Sequence, residues 1–532
     1  MRLKLAFAAL MLPGTAHAAD WREAETAHFR IFSAGDEKGL LKFAERLEQF
    51  HTLLRMATGA NEADRRIVKV RVVLVSSIGD VARLYGNPDA NVAGFYGPRE
   101  DGAIAVVPRN TGDGEFSGQL VLFHEYAHHY MLQYTPAAYP AWYVEGFAEI
   151  TSTASFERKG AITYGKAASH RSYELDAVRY PTAKMIDGSY IKDGREGSGW
   201  SYGDAWLVTH YLTFGDTRRG QLRTYLNLIN SGVPMNLAAR TFGDLNALQR
   251  EVSVYLAGRS FPFRAVPLPE NAGGQIKLRA VPQDEAATIE AQIEMGRRLR
   301  LPNKADEEAE PDGDTKKKSD KPKKDFETRL AEAKIKRDEW LTELDTLAAR
   351  QPSSVHGWRL VADARCEAEQ HQACLTAAER ALTIAPEDPR AQVRKAEAML
   401  ALAKDLPEAQ RKARITEART LAARVMNANP DDPVSRLIFY RSYSAEGRLA
   451  SPVGIMALRE AVRLVPQIDG PRLSLAREMI GVGDTLEAIK LLRPLAYDPH
   501  GRGEAAEARG LLAKLFDMLP TMAANPTDPG EN

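Results

Sequence analysis

The residues with the clearest chemical potential are His124-Glu125-Tyr126-Ala127-His128. On a helix, positions four apart differ by only about 40° around the axis, so both imidazoles project to one side. That is the placement two ligands of one zinc ion require. Glu125 lies on the adjacent face, within reach of a proton on water at the metal. Leu120, Val121, Leu122, Phe123 and Ala127 are apolar, so this is a core helix carrying three polar groups. Their burial costs free energy that a metal would offset. Without a metal, the same residues make a helix with hydrogen-bonded histidines.

A second segment, Pro140-Ala141-Trp142-Tyr143-Val144-Glu145-Gly146-Phe147-Ala148-Glu149, follows closely. Pro140 suits the first turn of a helix. Glu145 stands 17 residues past His128, which leaves room for the first helix to end, a turn, and a second helix that returns to the metal. Two histidines, one glutamate and a water form a catalytic zinc set with an open position. Gly146 allows a neighbouring helix to approach closely. Glu149 lies one turn beyond Glu145 on the same face. It fits two roles: accepting the second N–H of a ligand histidine, or acting as the ligand itself.

The two motifs together resemble a gluzincin metallopeptidase of the thermolysin-like clan, and are especially similar to the peptidase-MA-like domains that bacteria attach to tetratricopeptide repeats. The resemblance covers about residues 20–260 and implies an α+β zincin-like domain with one zinc ion. It implies that Glu145, in the Glu-Gly pair, is the third ligand beside His124 and His128. Glu149 is then the partner of His124, and Glu125 is the catalytic base. A peptidase also needs a donor for the oxyanion of its tetrahedral intermediate. Tyr202, at a helix entrance, is the first candidate and His210 the second; packed core residues are the alternative for each. His129 and Tyr130 point to other faces and are read as structural. In thermolysin-like enzymes an edge strand pairs with the substrate backbone; the strand 103–107 is placed to do so by strand addition, and an ordinary interior strand is the equal alternative.

The elements that must position these groups are visible as periodicities. Phe29 to Phe32 alternates like a half-buried strand, and Val68 to Val75 reads as a sheet strand. Lys38 to Met56 is amphipathic, with Leu40, Phe43, Leu47, Phe50 and Leu54 on one stripe. Helices are expected at 116–134, 140–153, 204–214, 218–231 and 246–258. Residues 261–300 form a strand and helix extension. Residues 301–326 hold an acidic and then a basic block with almost nothing apolar, the composition of a disordered linker.

Residues 327–520 are helical throughout. Pro352, Pro386, Pro430, Pro466 and Pro499 recur at spacings of 34, 44, 36 and 33. The unit 354–386 resembles a tetratricopeptide repeat, with Trp358 on its first helix and Ala362, Cys374, Ala378 and Ala381 at the small-residue positions. Such repeats build a superhelix whose concave face binds peptides or proteins.

The remaining readings concern location and partners. Arg2 and Lys4, the apolar run Leu5 to Leu12 and Ala16-His17-Ala18 read as a signal peptide over 1–18. No cysteine follows for a lipid anchor, and no later run is long enough to span a membrane. The expected location is periplasmic or secreted. Cys366 and Cys374, the two cysteines of the chain, are a candidate disulfide. Lys+Arg 71 balances Asp+Glu 71, which removes a whole-chain attraction to nucleic acid. The expected function is an exported zinc metallopeptidase cleaving peptide bonds, with Glu125 assisting attack by zinc-bound water and the repeats recruiting substrate or a protein partner. Two other readings remain open: a non-catalytic repeat scaffold with a vestigial metal domain, and a zinc hydrolase of a non-peptide amide.

Overall fold

A computed structural model describes residues 20–303 and 325–518, less positions 64, 89, 91, 110–117, 158–159, 178, 193–194, 197–198, 448–449 and 499–502. The expected signal peptide and most of the expected linker lie outside the described residues, as does Pro499.

The apolar runs near the N-terminus become strands β1 (Arg22–Glu25), β2 (Phe29–Ser33), β3 (Val70–Val75), β4 (Phe95–Gly97) and β5 (Ile104–Pro108). With Lys277–Ala280 they form a six-stranded sheet, in the order Lys277–Ala280, β1, β2, β3, β5, β4. The central strands β2, β3 and β5 are parallel, and the outer pairings are antiparallel. Parallel neighbours need crossovers. Helix α1 (Glu37–Thr58) joins β2 to β3, and α2 (Ile78–Tyr85) follows β3. The Asp36 side chain caps α1 by accepting from the Gly39 N–H, and Gly59 ends it in the left-handed region at φ 69°. All five residues of the expected α1 stripe are buried.

Of the two readings of the strand at 103–107, the interior one holds and the substrate-pairing one does not: β5 lies between β3 and β4, and β4 is the edge strand among the described residues. Every residue of β5 is buried, as befits a strand covered on both faces. The sheet also does not end near residue 260. Lys277–Ala280, from the expected extension, pairs with β1, and the helix Ile289–Leu299 packs on α2 and on the first repeat helices.

Under the sheet, α3 (Gly118–Tyr134) packs on α1, where Phe50 and Phe123 stack at 3.9 Å. Helix α4 (Ala141–Ser152) packs on α3. After the short helices α5 (Ser172–Asp176) and α6 (Thr182–Asp187), α7 (Tyr202–Phe214) packs on the other side of α4. A reciprocal cap between Ser201 and Asp204 starts α7. A Cβ on Gly146 would run into the Thr209 side chain and stand 2.5 Å from the Ala205 carbonyl oxygen. Glycine here permits the close crossing of α4 and α7.

The C-terminal part stacks helix pairs Val355–Glu367/His371–Ile384, Pro389–Leu402/Glu408–Ala428, Pro433–Ser444/Pro452–Leu464 and Asp469–Gly481/Thr485–Ala496, flanked by Phe326–Arg350 and Gly503–Met518. Ala362, Cys374, Ala378, Ala381, Ala418, Ala422 and Ala461 are fully buried where helices touch. Pro389, Pro433 and Pro452 sit in first turns. The long repeat spacing of 44 falls where a 3-10 turn, Ala403–Asp405, and an extended helix are inserted. No helix among the described residues is long and apolar enough to cross a membrane.

Cys366 and Cys374 are bonded, joining the first helix pair with Cα atoms 5.1 Å apart. Closing so short a loop restricts the unfolded chain by about 2–3 kcal/mol. Thermal unfolding with and without a thiol reductant is expected to show that loss, and an unchanged midpoint would contradict it.

Candidate metal centre

Helix α3 buries one side in the core and turns its two motif histidines toward α4. Glu145 Oε2, from α4, stands 3.4 Å from His124 Nε2 and 3.5 Å from His128 Nε2. The two Nε2 atoms are 3.0 Å apart, and the rings are nearly perpendicular, at 84°. A triangle with sides of 3.0, 3.4 and 3.5 Å has its centre about 1.9 Å from each corner, close to zinc–nitrogen and zinc–oxygen bond lengths of about 2.0–2.2 Å. The three side chains therefore fit one small divalent cation.

Charge supports the same fit. Glu145 and Glu149 are buried acids, 1% and 0% exposed, and buried anions need a compensating cation. Burial opposes charge on His124, but these two carboxylates outweigh it and raise its pKa to about 10. A divalent ion would displace that proton and supply the positive charge instead.

Glu149 has the position expected of a partner to His124, not of a ligand. Its Oε1 lies 3.3 Å from His124 Nδ1, on the side of the ring away from Glu145. It also accepts from His170 Nε2 at 2.8 Å and from Arg171 Nη2 at 2.7 Å. Burial pushes its pKa up, and the hydrogen bonds from His124, His170 and Arg171 more than reverse that, leaving it below the ordinary carboxylate value. His170 and Arg171 had no signal in the sequence, because they reach the site from a 3-10 turn, Ser169–Arg171, 21 and 22 residues past Glu149.

Tyr202 opens α7 beside the site. Its ring meets His124 edge-on, with centroids 6.1 Å apart, and Arg171 covers it at 4.6 Å. Burial, then the Glu145 charge, raise its pKa to about 12, so its hydroxyl stays a proton-bearing donor at neutral pH. His210 is elsewhere. It is fully buried, pairing with the Tyr255 hydroxyl and the Gly165 carbonyl at 2.8 Å each. Burial lowers its pKa to about 4. It is a core histidine and is withdrawn as an oxyanion donor.

Glu125 is half-buried on the face next to His124. Its charge acts on the hydroxyls of both Tyr202 and Tyr96. Tyr96, on edge strand β4, was not singled out from the sequence. Its hydroxyl lies 2.8 Å from His129 Nδ1, so His129 holds this tyrosine against α3.

A second grouping, His28, His51 and Glu62, also has three donor atoms close together. Its rings stack in parallel at 3.5 Å, so their lone pairs run side by side and do not converge. His51 pairs with the Tyr126 hydroxyl at 2.7 Å and with Glu62 at 3.1 Å, and His28 with Glu48 at 2.8 Å. These partners satisfy the group as a hydrogen-bonded network.

No protein-family model matches the chain, and no curated protein matches it. Among solved structures, a thermophilic TPR protein of Thermus thermophilus is similar over 35% of this chain and 94% of its own, at 16% identity and a TM-score of 0.29. The helical array rests on the hairpins described above.

Proposed function

We propose that the chain is a zinc-dependent metallopeptidase of the gluzincin type. The observation that carries the reading is the convergence of His124 Nε2, His128 Nε2 and Glu145 Oε2 on a point at metal-bond distance from all three. When bound, zinc polarises a carbonyl and lowers the pKa of its water to about 7. The protein's own groups do the rest. Glu149 fixes the His124 ring so that Nε2 faces the site. Glu125 accepts the proton of the attacking water and returns it to the leaving amine. Tyr202 offers its hydroxyl to the developing oxyanion. Strand β4, at the edge of the sheet among the described residues and packed on the helix that carries Glu125, offers backbone groups to an extended peptide, which favours a peptide over a compact non-peptide amide. The reading places the enzyme outside the cytoplasm, periplasmic or secreted, which the Cys366–Cys374 bond supports.

Metal analysis tests this directly. The protein purified without chelator is expected to hold about one zinc per chain, and His128→Ala to hold nearly none. A metal-free wild type would overturn the reading.

A further inference from the structure

The turn between β4 and β5 carries three consecutive charges, Arg99, Glu100 and Asp101, and each meets the opposite charge on a different repeat. Arg99 Nη2 lies 2.9 Å from Glu367 at the end of Val355–Glu367. Asp101 Oδ2 lies 2.6 Å from Arg390 on Pro389–Leu402. Glu100 pairs with Arg441 on Pro433–Ser444. All three partners lie on the first helices of successive pairs, which touch one another in turn along the array and so line its inner face. The contact is continuous with the site. In the segment after Pro452–Leu464, Gln467 Nε2 lies 2.9 Å from His129 Nδ1, the nitrogen that also meets the Tyr96 hydroxyl. Gln133, one turn on along α3, donates to the Arg463 carbonyl at 3.0 Å.

We propose that the repeat array is a fixed arm of the hydrolytic site: its inner face is occupied by the chain's own 98–101 turn, and that grip holds strand β4 and Tyr96 against the helix that carries Glu125. Strand β4 needs such support. It has three residues and pairs with β5 on one side only, and a strand that short has little stability of its own. Anchoring its following turn at three points fixes the edge on which an extended substrate would lie. The occupied face is also closed to an outside peptide while the arm is docked. The array therefore positions the site from within the chain, where the sequence pattern alone describes a free recruiting groove tethered by a linker. Asp101 is central to the grip, since it also accepts from Arg71 at 3.2 Å and from Arg99 at 3.3 Å. Beside the grip is an open groove of about 430 Å³ bordered by Asp101, Arg390 and Arg394 and by the apolar Val68, Val393 and Val434.

The consequence for catalysis rests on the metallopeptidase reading, but the docking does not. The test uses the Glu100–Arg441 pair, whose side chains are 33% and 41% exposed, so that reversal does not bury an unpaired charge. Glu100→Arg, Arg441→Glu and the double reversal are compared in the full chain by hydrogen exchange of residues 95–101. Each single reversal is expected to speed exchange there about three- to tenfold, and the double to return to near the wild-type rate. In peptide hydrolysis the singles are expected to raise KM more than they lower kcat, with the same recovery in the double. Exchange unaffected by the single reversals, or a double that exchanges as fast as either, would overturn the proposal. If exchange responds but no variant and no wild type cleaves peptide, the arm stands and the metallopeptidase reading falls. If cleavage is present and indifferent to both reversals while exchange responds, the positioning role of the arm is overturned.

Discussion

Glu125→Gln is expected to lower turnover on an unstructured protein substrate by about a hundred- to ten-thousand-fold while leaving the metal content at its wild-type value. The substitution keeps the size and shape of the side chain and removes only its ability to accept a proton. That loss corresponds to about 3–5 kcal/mol of transition-state stabilisation, the range supplied by one positioned acid or base. Metal retention follows from geometry: Glu125 is not among the three side chains whose donor atoms converge, and the amide leaves His124, His128 and Glu145 untouched. Folding should be equally indifferent, because Glu125 is half-buried at the rim of the site and not locked in the core. Steady-state cleavage and metal analysis on the same preparation check both halves. Full activity with full metal would remove Glu125 as the base, whereas a metallated wild type that cleaves nothing would put the scaffold reading ahead of the enzyme reading.

The parts of this centre that were legible in the sequence are those that depend on one helix at a time. His124 and His128 had to share a side of α3 because of the helical repeat alone, and the apolar run Leu120 to Phe123 before them announced a core helix. The α1 stripe was equally readable, and its five residues all pack inward. Gly146 could be read as a close-approach position, though not that its neighbours would be Ala205 and Thr209 of α7. What failed were features held by pairing between distant segments. Lys277–Ala280 could be read as a strand of the 261–300 extension, but its side chains stay exposed and nothing in it named β1, far earlier in the chain, as its partner. His170 and Arg171 reach Glu149 only because a loop folds back across α4.

The strand 103–107 was left open between an edge and an interior position, although the signal that decides it was present. Ala103-Ile104-Ala105-Val106-Val107 is apolar at every position, which is the pattern of a strand covered on both faces. An edge strand presented to substrate has one open side and tolerates mixed residues, as Phe95-Tyr96-Gly97 does. Weighing the run of apolar residues above its closeness to the motif would have placed β5 inside and β4 at the rim. The interior place of β5 matters for chemistry, since it leaves Tyr96 of β4 against α3 through His129 and makes the 98–101 turn the link between the site and the repeats.

The other large effect expected is at Glu149. This carboxylate is fully buried and receives hydrogen bonds from His170 and Arg171 while facing His124 Nδ1. Glu149→Gln removes the only negative charge that faces Arg171 from α4. It also places an amide N–H₂ where at least one of those donors must then go unmatched. Removing one partner from a buried charged pair costs about 3–5 kcal/mol. Arg171 is about a quarter exposed, so water relieves part of the loss and the lower end of that range is expected. The same change frees the His124 ring to rotate and weakens it as a ligand, which lowers metal affinity about 10–100-fold. The two losses are separable: unfolding of the metal-free protein reports the first, and competition for zinc against a chelator of known affinity reports the second. Arg171→Lys is the informative companion, because it retains the charge beside Glu149 and does not touch His124. It should therefore reproduce part of the stability loss and little of the loss in metal affinity. A Glu149→Gln protein as stable and as tightly metallated as the wild type would mean that Glu149 neither balances these cations nor orients His124, and the ligand set would have to be assigned anew.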